Sequence, residues 1–230
     1  MIRRDRAVRE TALLLLAAVA AFVLVDVVLR LFYRADGSVL PLVHRLYMNL
    51  SIGRDNSVAE LFNHGMAFSA ALLFIVTAVA ARSRVCLALG MFLATAWIDD
   101  AAQFHEQVGR AFGGRFPKAE FLGVGAIHLG ELVAWALIGV VLLALIYWAS
   151  RRILPGDRTV IRLVLLPVLL LIASAVVVDV VHVPFAGTDL DAAFLYLEDG
   201  GEMVAMALIA SVALYLARNA EAVFAGTIRR

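Results

Sequence analysis

Ten carboxylates and four histidines lie inside stretches of the chain that are otherwise apolar. They are Asp26, Glu60, His64, Asp99, Asp100, His105, Glu106, His128, Glu131, Asp179, His182, Glu198, Asp199 and Glu202. A charged side chain at the centre of a membrane helix costs about 2.5–3.5 kcal/mol, so acidic residues there usually serve a function. Carboxylate and imidazole ligands without thiolate suit Zn, Fe or Mn. The set therefore predicts a centre that holds one or two divalent metal ions.

Most of these residues form pairs whose spacing places both members on one face of a helix. The pairs separated by three or four residues are Glu60–His64, His128–Glu131, Asp179–His182 and Glu198–Glu202. Asp99, Gln103 and Glu106 repeat at the same interval and predict another shared face. Helix-borne carboxylates with a histidine one turn away also build the metal sites of helical bundles. We therefore expect the pairs to converge on one centre.

The roles within this centre follow from side-chain type and position. Asp99 and Glu106 are the predicted catalytic residues, because a carboxylate beside a metal can act as a general base. Asp100 and Asp199 point about 100° away from their neighbours and fit an outer position around the ligands. The predicted metal ligands are Glu60, His64, Asp100, His105, His128, Glu131, Asp179, His182, Glu198 and Glu202.

Structural explanations stay open for several members of the set. Ser57 and Glu60 have the spacing of a helix capping box, so Glu60 could serve only to cap a helix. Asp26 is predicted to have no partner on its own helix, which is typical of a lone buried acid. His105 and Glu106 lie at the end of an apolar stretch, where a wet membrane interface could accommodate them.

Six apolar stretches are long enough to position these residues in a membrane. A transmembrane helix needs about 20 mostly apolar residues. The composition agrees, since 63% of the 230 residues are hydrophobic, 17% are charged and the mean hydropathy is +0.91. The sequence predicts an all-α, polytopic membrane helix bundle, a single transmembrane domain over residues 1–230. Its six spans are 11–33, 58–81, 84–107, 122–149, 160–183 and 195–217.

The same composition excludes several classes of protein. A chain this apolar is neither disordered nor a nucleic-acid binder. Cys86 is the single cysteine, which excludes an intrachain disulfide and a cysteine-based metal cluster. Lys118 is the single lysine and lies in a predicted loop, which excludes a Schiff-base lysine within the membrane.

The basic residues predict the orientation of the spans. Thirteen of the 20 arginine and lysine residues fall on the side of the N-terminus, so the positive-inside rule places both termini in the cytoplasm. Odd-numbered spans then end, and even-numbered spans begin, on the outer side. All fourteen ionisable residues fall within roughly 15 Å of that boundary. We expect an integral protein of a bacterial inner membrane whose site faces the periplasm.

The outer connections and one glycine pair carry further expectations. Residues 41–50 could form a helix on the membrane surface, and residues 109–121 could form a mobile lid. A simple solvated connection is the favoured expectation for both. Gly200 and Gly201 predict a close approach between helices.

Three segments carry a resemblance to a known group of proteins. They read WIDDAAQFHEQVG at 97–109, HLGELVAWA at 128–136 and LEDGGEMVAM at 197–206. Over roughly residues 58–215 the chain resembles a family of uncharacterised bacterial multi-pass membrane proteins with DD-x4-HE, GEL and EDGGEM segments. This resemblance implies a membrane fold and no known activity.

A second, fainter resemblance runs to the alkaline ceramidase-like membrane hydrolases. It is carried by AELFN at 59–63 and by the acids and histidine of the third span. Those hydrolases have seven spans and an H-x-x-x-H zinc pair in the last one. The last span here reads Glu198-Asp199-Gly-Gly-Glu202, without histidine, so no residue role is carried over.

The leading hypothesis is a membrane-embedded metal-dependent enzyme, a hydrolase that acts on a lipid-like substrate from the outer side. A di-metal oxidoreductase and a divalent-metal transporter or sensor are the alternatives. The apolar inner halves of the spans disfavour a transport path, and histidines predicted on one side only disfavour a haem protein. The expected partners are the lipid bilayer and the substrate, without nucleic acid; the oligomeric state stays open.

Overall fold

The computed structural model describes residues 5–35, 41–121 and 123–225, and most residues in these ranges are helical. Two short strands, β1 (Glu120–Phe121) and β2 (Val124–Gly125), form an antiparallel pair. The all-α prediction is confirmed. The α-helices in chain order are α1 (Arg6–Ala35), α2 (Pro41–Leu50), α3 (Val58–Ala81), α4 (Arg84–Ala101), α5 (Phe104–Arg115), α6 (Ala126–Ser150), α7 (Pro155–Ile172), α8 (Asp179–His182), α9 (Asp191–Arg218) and α10 (Ala220–Val223).

Five helical segments are long and apolar enough to cross a membrane, and the pair of α4 and α5 brings the number to six if it counts as one span. The chain therefore has the helices of a membrane protein. The predicted orientation of the spans stays a prediction. The five segments are Arg6–Phe32, Val58–Ala81, Ala126–Ser150, Pro155–Phe185 and Asp191–Arg218.

The third predicted span, 84–107, is not one continuous helix, which corrects the sequence-based expectation. α4 ends at Ala101 and α5 begins at Phe104, with a bend of 53° between them. Gln103 at this break has a φ of +50°, the left-handed region that interrupts a right-handed helix. The prediction that Asp99, Gln103 and Glu106 share one helical face is therefore wrong.

Two long connections that the sequence predicted on the outer side contain regular structure, where simple loops were the favoured expectation. α2 occupies Pro41–Leu50, with proline at its first position, where the missing N–H is not needed. α5 continues through the segment 109–121 as far as Arg115, and the β1–β2 pair follows it. The expectation of simple solvated connections was wrong for both segments, and the helix expected as the alternative for 41–50 is present.

By contacts between its residues the chain divides into two compact units. The first unit comprises Met1–Met66 and Pro167–Ser211, and the second comprises Ala67–Leu166 and Val212–Arg230.

In the first unit, α1 contacts α2, and α9 closely approaches the helical segment that follows α7. A Cβ added at Gly201 would overlap the Ser174 hydroxyl oxygen and lie 3.2 Å from the Ser174 Cβ. The close approach predicted at Gly200 and Gly201 is thus confirmed at Gly201. Rings of Phe22 on α1 and Phe62 on α3 lie 5.5 Å apart.

The helix that begins as α7 changes its winding before it reaches the predicted site residues. Pro167 lies inside α7 and has no N–H for the helical hydrogen bond. Residues Ala173–Val178 then form a π-helix, a wider turn that is frequent at functional sites. The extra residue rotates Asp179 and His182 by about 100° relative to an uninterrupted α-helix.

In the second unit, α6 packs against both α4 and α5. The contact with α5 is close because glycines meet there: a Cβ added at Gly130 would lie 2.8 Å from the Gly109 Cα. Ser83 caps α4 by accepting a hydrogen bond from the Cys86 N–H, and its hydroxyl donates to Asp157 Oδ1 at 2.5 Å. Asp157 also accepts from the Leu154 N–H, which fixes the start of α7.

Candidate functional site

His182 in the first unit lies between two carboxylates. Its Nδ1 is 2.7 Å from Glu198 Oε2 and its Nε2 is 2.9 Å from Asp191 Oδ1. Asp191 is absent from the sequence-based set. The available signal was its spacing, because Asp191 and Glu198 are seven residues apart and share a face of α9. Asp179, the predicted partner on the same helix, interacts electrostatically with Glu198.

Both hydrogen bonds of His182 need a particular distribution of protons. A neutral imidazole has one donor and one acceptor, whereas an ionised carboxylate only accepts. His182 therefore satisfies Glu198 and Asp191 either as an imidazolium or with one carboxyl protonated. In both cases the His182 ring links the two carboxylates, so a proton can pass through it from Glu198 to Asp191.

Glu60 and His64 form a second pair in the first unit, on α3. Glu60 Oε1 lies 3.8 Å from His64 Nε2, and each residue offers one atom able to bind a metal ion. The Glu60 N–H also donates to Ser57 Oγ at 3.1 Å, while its carboxylate accepts from the Asn56 N–H. Ser57 therefore caps α3, and the Glu60 carboxylate binds the backbone just before the helix while it also faces His64.

Asp26 is not the lone acid that the sequence predicted. Its Oδ2 accepts hydrogen bonds from Arg30 Nε at 2.6 Å and from the Tyr196 hydroxyl at 2.9 Å. Arg30 is one turn away on α1, so the expectation that Asp26 has no partner on its own helix was wrong.

Asp99 and His105 form the closest contact across the break between α4 and α5 in the second unit. Asp99 is buried; its Oδ1 accepts from the His105 backbone N–H at 3.1 Å, and its Oδ2 lies 2.8 Å from His105 Nδ1. The carboxylate thus caps α5 and orients the imidazole. The His105 ring also packs against Trp135, with 5.4 Å between ring centroids.

His128 and Glu131 form the fourth pair, at the start of α6. His128 Nδ1 lies 2.8 Å from Glu131 Oε2, as their three-residue spacing predicts. Glu131 packs closely on α5, because a Cβ added at Gly109 would lie 2.7 Å from the Glu131 Cγ. His105 interacts electrostatically with Glu131, so the two carboxylate–histidine pairs of the second unit are neighbours.

The other predicted residues lie on α4, α5 and α9. Glu106, a predicted general base, forms a 2.8 Å ion pair with Arg110 on the surface of α5. Asp100 at the end of α4 is half-buried, as are Asp199 and Glu202 on α9. Within each unit, the structure brings several of the predicted residues together as carboxylate–histidine pairs.

Three of these pairs share one chemical feature. Nδ1 of His105, His128 and His182 lies 2.7–2.8 Å from a carboxylate oxygen. A metal-bound histidine usually donates its second ring N–H to a carboxylate in this way. Where Nδ1 carries the proton, Nε2 keeps a lone pair that can bind a metal.

Comparison with known families identifies the chain. Residues 13–218 match the family described as a domain of unknown function (DUF8692). The chain belongs to this family. The match covers all fourteen ionisable residues of the predicted site, so this DUF8692 domain contains every carboxylate–histidine pair described above. Neither the curated proteins nor the solved structures contain a match to the DUF8692 chain.

The family assignment supports one part of the resemblances found in the sequence. The DUF8692 domain is an uncharacterised family, as the first resemblance implied. Its bacterial origin and the likeness to alkaline ceramidase-like hydrolases stay predictions.

Proposed function

We propose that this chain is a membrane-embedded, metal-dependent hydrolase that acts on a lipid-like substrate. The observation that carries the proposal is the repeated contact between a histidine Nδ1 and a carboxylate, at 2.7–2.8 Å in three places. One such pair is common in proteins. Three within apolar helices, together with the Glu60–His64 pair, are costly to keep unless they serve a function.

The donor atoms fit a divalent metal of the Zn, Fe or Mn class. In the second unit the proposed ligands are the Nε2 atoms of His105 and His128. In the first unit they are the Glu60 carboxylate and the His64 imidazole, which face each other on α3. These donors are nitrogen and oxygen atoms without sulfur, as expected for these metals. The proposal covers one or two ions.

A bound metal of this class would polarise the bond to be cleaved and lower the pKa of a bound water. The protein side chains supply the rest of the chemistry. Asp99 holds the His105 ring in one orientation and one tautomer through its two hydrogen bonds. This makes Asp99 a positioning residue rather than the general base that the sequence predicted.

His182 is the proposed acid–base group. Its two ring nitrogens contact Glu198 and Asp191, so it can take a proton on one side and release it on the other. Glu106 is less suited to this role because its carboxylate is engaged in an ion pair with Arg110 on the surface of α5. The apolar helices around the pairs favour a substrate that is dissolved in the membrane.

Metal analysis of the purified protein tests the proposal. Elemental analysis of the full chain in detergent should find Zn, Fe or Mn at one or two ions per chain. A double His105→Gln, His128→Gln variant should lose the ion held by the second unit, since both proposed ligands of that unit are removed. His44→Gln, an exposed histidine on α2, is the control that should keep the metal.

Two results would contradict the proposal. Wild-type protein free of transition metal, even after reconstitution with each ion, would exclude metal-dependent catalysis. Full metal content without hydrolysis of ester- or amide-linked lipids, but with consumption of oxygen, would favour the di-metal oxidoreductase instead.

A further inference from the structure

Three buried oxygen atoms of the first unit have no hydrogen-bond partner among the residues that the structure describes. They are Asp26 Oδ1, Ser51 Oγ and Asn63 Oδ1. Asp26 and Ser51 are fully buried, and Asn63 is 9% exposed. An unsatisfied buried polar group costs about 1–3 kcal/mol, so three together need an explanation. We refer to Asp26, Ser51 and Asn63 as the buried oxygen cluster.

Contacts within the first unit bring the elements that carry this cluster together. Tyr196 on α9 donates its hydroxyl to Asp26 on α1. One turn before Asp26, Phe22 packs against Phe62, the neighbour of Asn63 on α3. A Cβ added at Gly200, one turn after Tyr196, would contact both Val23 on α1 and Ile52, the neighbour of Ser51. These contacts pack α1, α3, α9 and the segment of Ser51 and Ile52 against one another within the first unit.

The chemistry of the cluster defines what it can bind. A carboxylate oxygen and an amide oxygen accept hydrogen bonds, and a serine hydroxyl can accept or donate. The negative charge of Asp26 is already balanced by Arg30, 2.6 Å away, so the cluster does not call for a cation. It calls for a neutral group that donates an O–H.

The surroundings favour a lipid as the source of that O–H. α1 and α3 are both apolar enough to cross a membrane, and the rings of Phe22 and Phe62 where they meet are only half-buried. Val25, three residues after Phe22, and Leu61, which precedes Phe62, are 37% and 59% exposed. An acyl chain lying against them would have its head group about one helical turn from Asp26.

We propose that the buried oxygen cluster binds the free hydroxyl of a neutral membrane lipid, reached between α1 and α3. The proposal rests on contacts of the first unit and holds whether or not the chain binds a metal. Water is the other common O–H donor, and the experiment separates the two.

Lipid-dependent stability of the full chain in detergent tests the proposal. Dioctanoylglycerol, a neutral lipid with one free hydroxyl, should raise the midpoint of thermal unfolding, whereas its methyl ether, which lacks the O–H, should not. Ser51→Ala and Asn63→Leu should each weaken the apparent affinity for the alcohol by at least about tenfold, the equivalent of one lost hydrogen bond. Ser211→Ala is the matched control.

The control residue is a buried serine of the same unit whose hydroxyl is already satisfied by the Ala207 carbonyl at 2.7 Å. Its variant should bind the alcohol within about twofold of wild type. Without lipid, Ser51→Ala should raise the unfolding midpoint, because it removes an unsatisfied buried hydroxyl.

Three outcomes would overturn the proposal. Equal stabilisation by the alcohol and its ether would mean that the hydroxyl is not recognised. No stabilisation by either, with a lower midpoint in lipid-free Ser51→Ala, would assign the cluster to bound water. Retained affinity in both Ser51→Ala and Asn63→Leu would place the lipid elsewhere. None of these measurements depends on the metal content of the protein. The test therefore stays valid even if the proposed hydrolase function is wrong.

Discussion

Asp99 binds His105 at two atoms, with Oδ1 on the backbone N–H at 3.1 Å and Oδ2 on the ring Nδ1 at 2.8 Å. One buried side chain thereby caps the first turn of α5 and fixes the direction of the imidazole. Because α4 and α5 are bent by 53° at this point, the carboxylate also ties the two helices together.

Asp99→Asn should keep the cap on α5 but change which ring nitrogen of His105 carries the proton. The amide can still cap α5 through its oxygen, but its NH₂ would donate to Nδ1 and move the imidazole proton to Nε2. Metal affinity should then fall by about 10–100-fold, the usual effect of losing such a partner. Metal titration and thermal unfolding of the same samples would measure both effects. Unchanged metal affinity would mean that His105 is not a metal ligand. Glu120→Gln, which changes an exposed residue of β1, is the control.

Glu60→Gln should distinguish capping from metal binding. Glutamine can replace glutamate in a capping box. The free energy of unfolding of the metal-free variant should therefore lie within about 0.5 kcal/mol of the wild-type value. A neutral amide is a poorer ligand than a carboxylate, so metal affinity should fall at least about tenfold. Denaturation and metal titration measure the two quantities. An unchanged affinity would leave Glu60 with its capping role alone, for which Ser57→Ala is the positive control.

Gly201→Ala should destabilise the first unit. The added methyl group would overlap Ser174, which is buried against α9, and overpacking of this kind costs about 1–3 kcal/mol. Gly139→Ala on α6 is the matched control, because a Cβ there meets nothing within 4 Å. That variant should be neutral or slightly stabilising. Equal unfolding midpoints for the two variants would contradict the close approach at Gly201.

Gln103→Gly should stabilise the break between α4 and α5. A non-glycine residue in the left-handed region costs roughly 1 kcal/mol, and glycine adopts the same φ of +50° without it. Gln107→Gly within α5 should have the opposite effect, a loss of about 1 kcal/mol. Chemical denaturation of both variants gives the comparison, and a destabilised Gln103→Gly would argue for a continuous helix through this segment.

Pairs within one helix were the part of the site that the sequence predicted well. Glu60 faces His64 and His128 faces Glu131, because residues three or four apart are neighbours on any α-helix. The same periodicity failed at Gln103, where a single left-handed residue ends α4 and places Glu106 on another helix. No hydrophobic pattern marks such a residue in advance.

Apolar length and periodicity by themselves determined that this chain consists of helices long and apolar enough to cross a membrane, and roughly where most of them begin and end. The tertiary structure decided which pairs form between elements. His182 meets Glu198 and Asp191 of α9, after a π-helical turn has rotated the segment that carries it. Contacts inside a helix follow from its repeat of 3.6 residues, whereas contacts between helices depend on their rotation and register, which only packing sets.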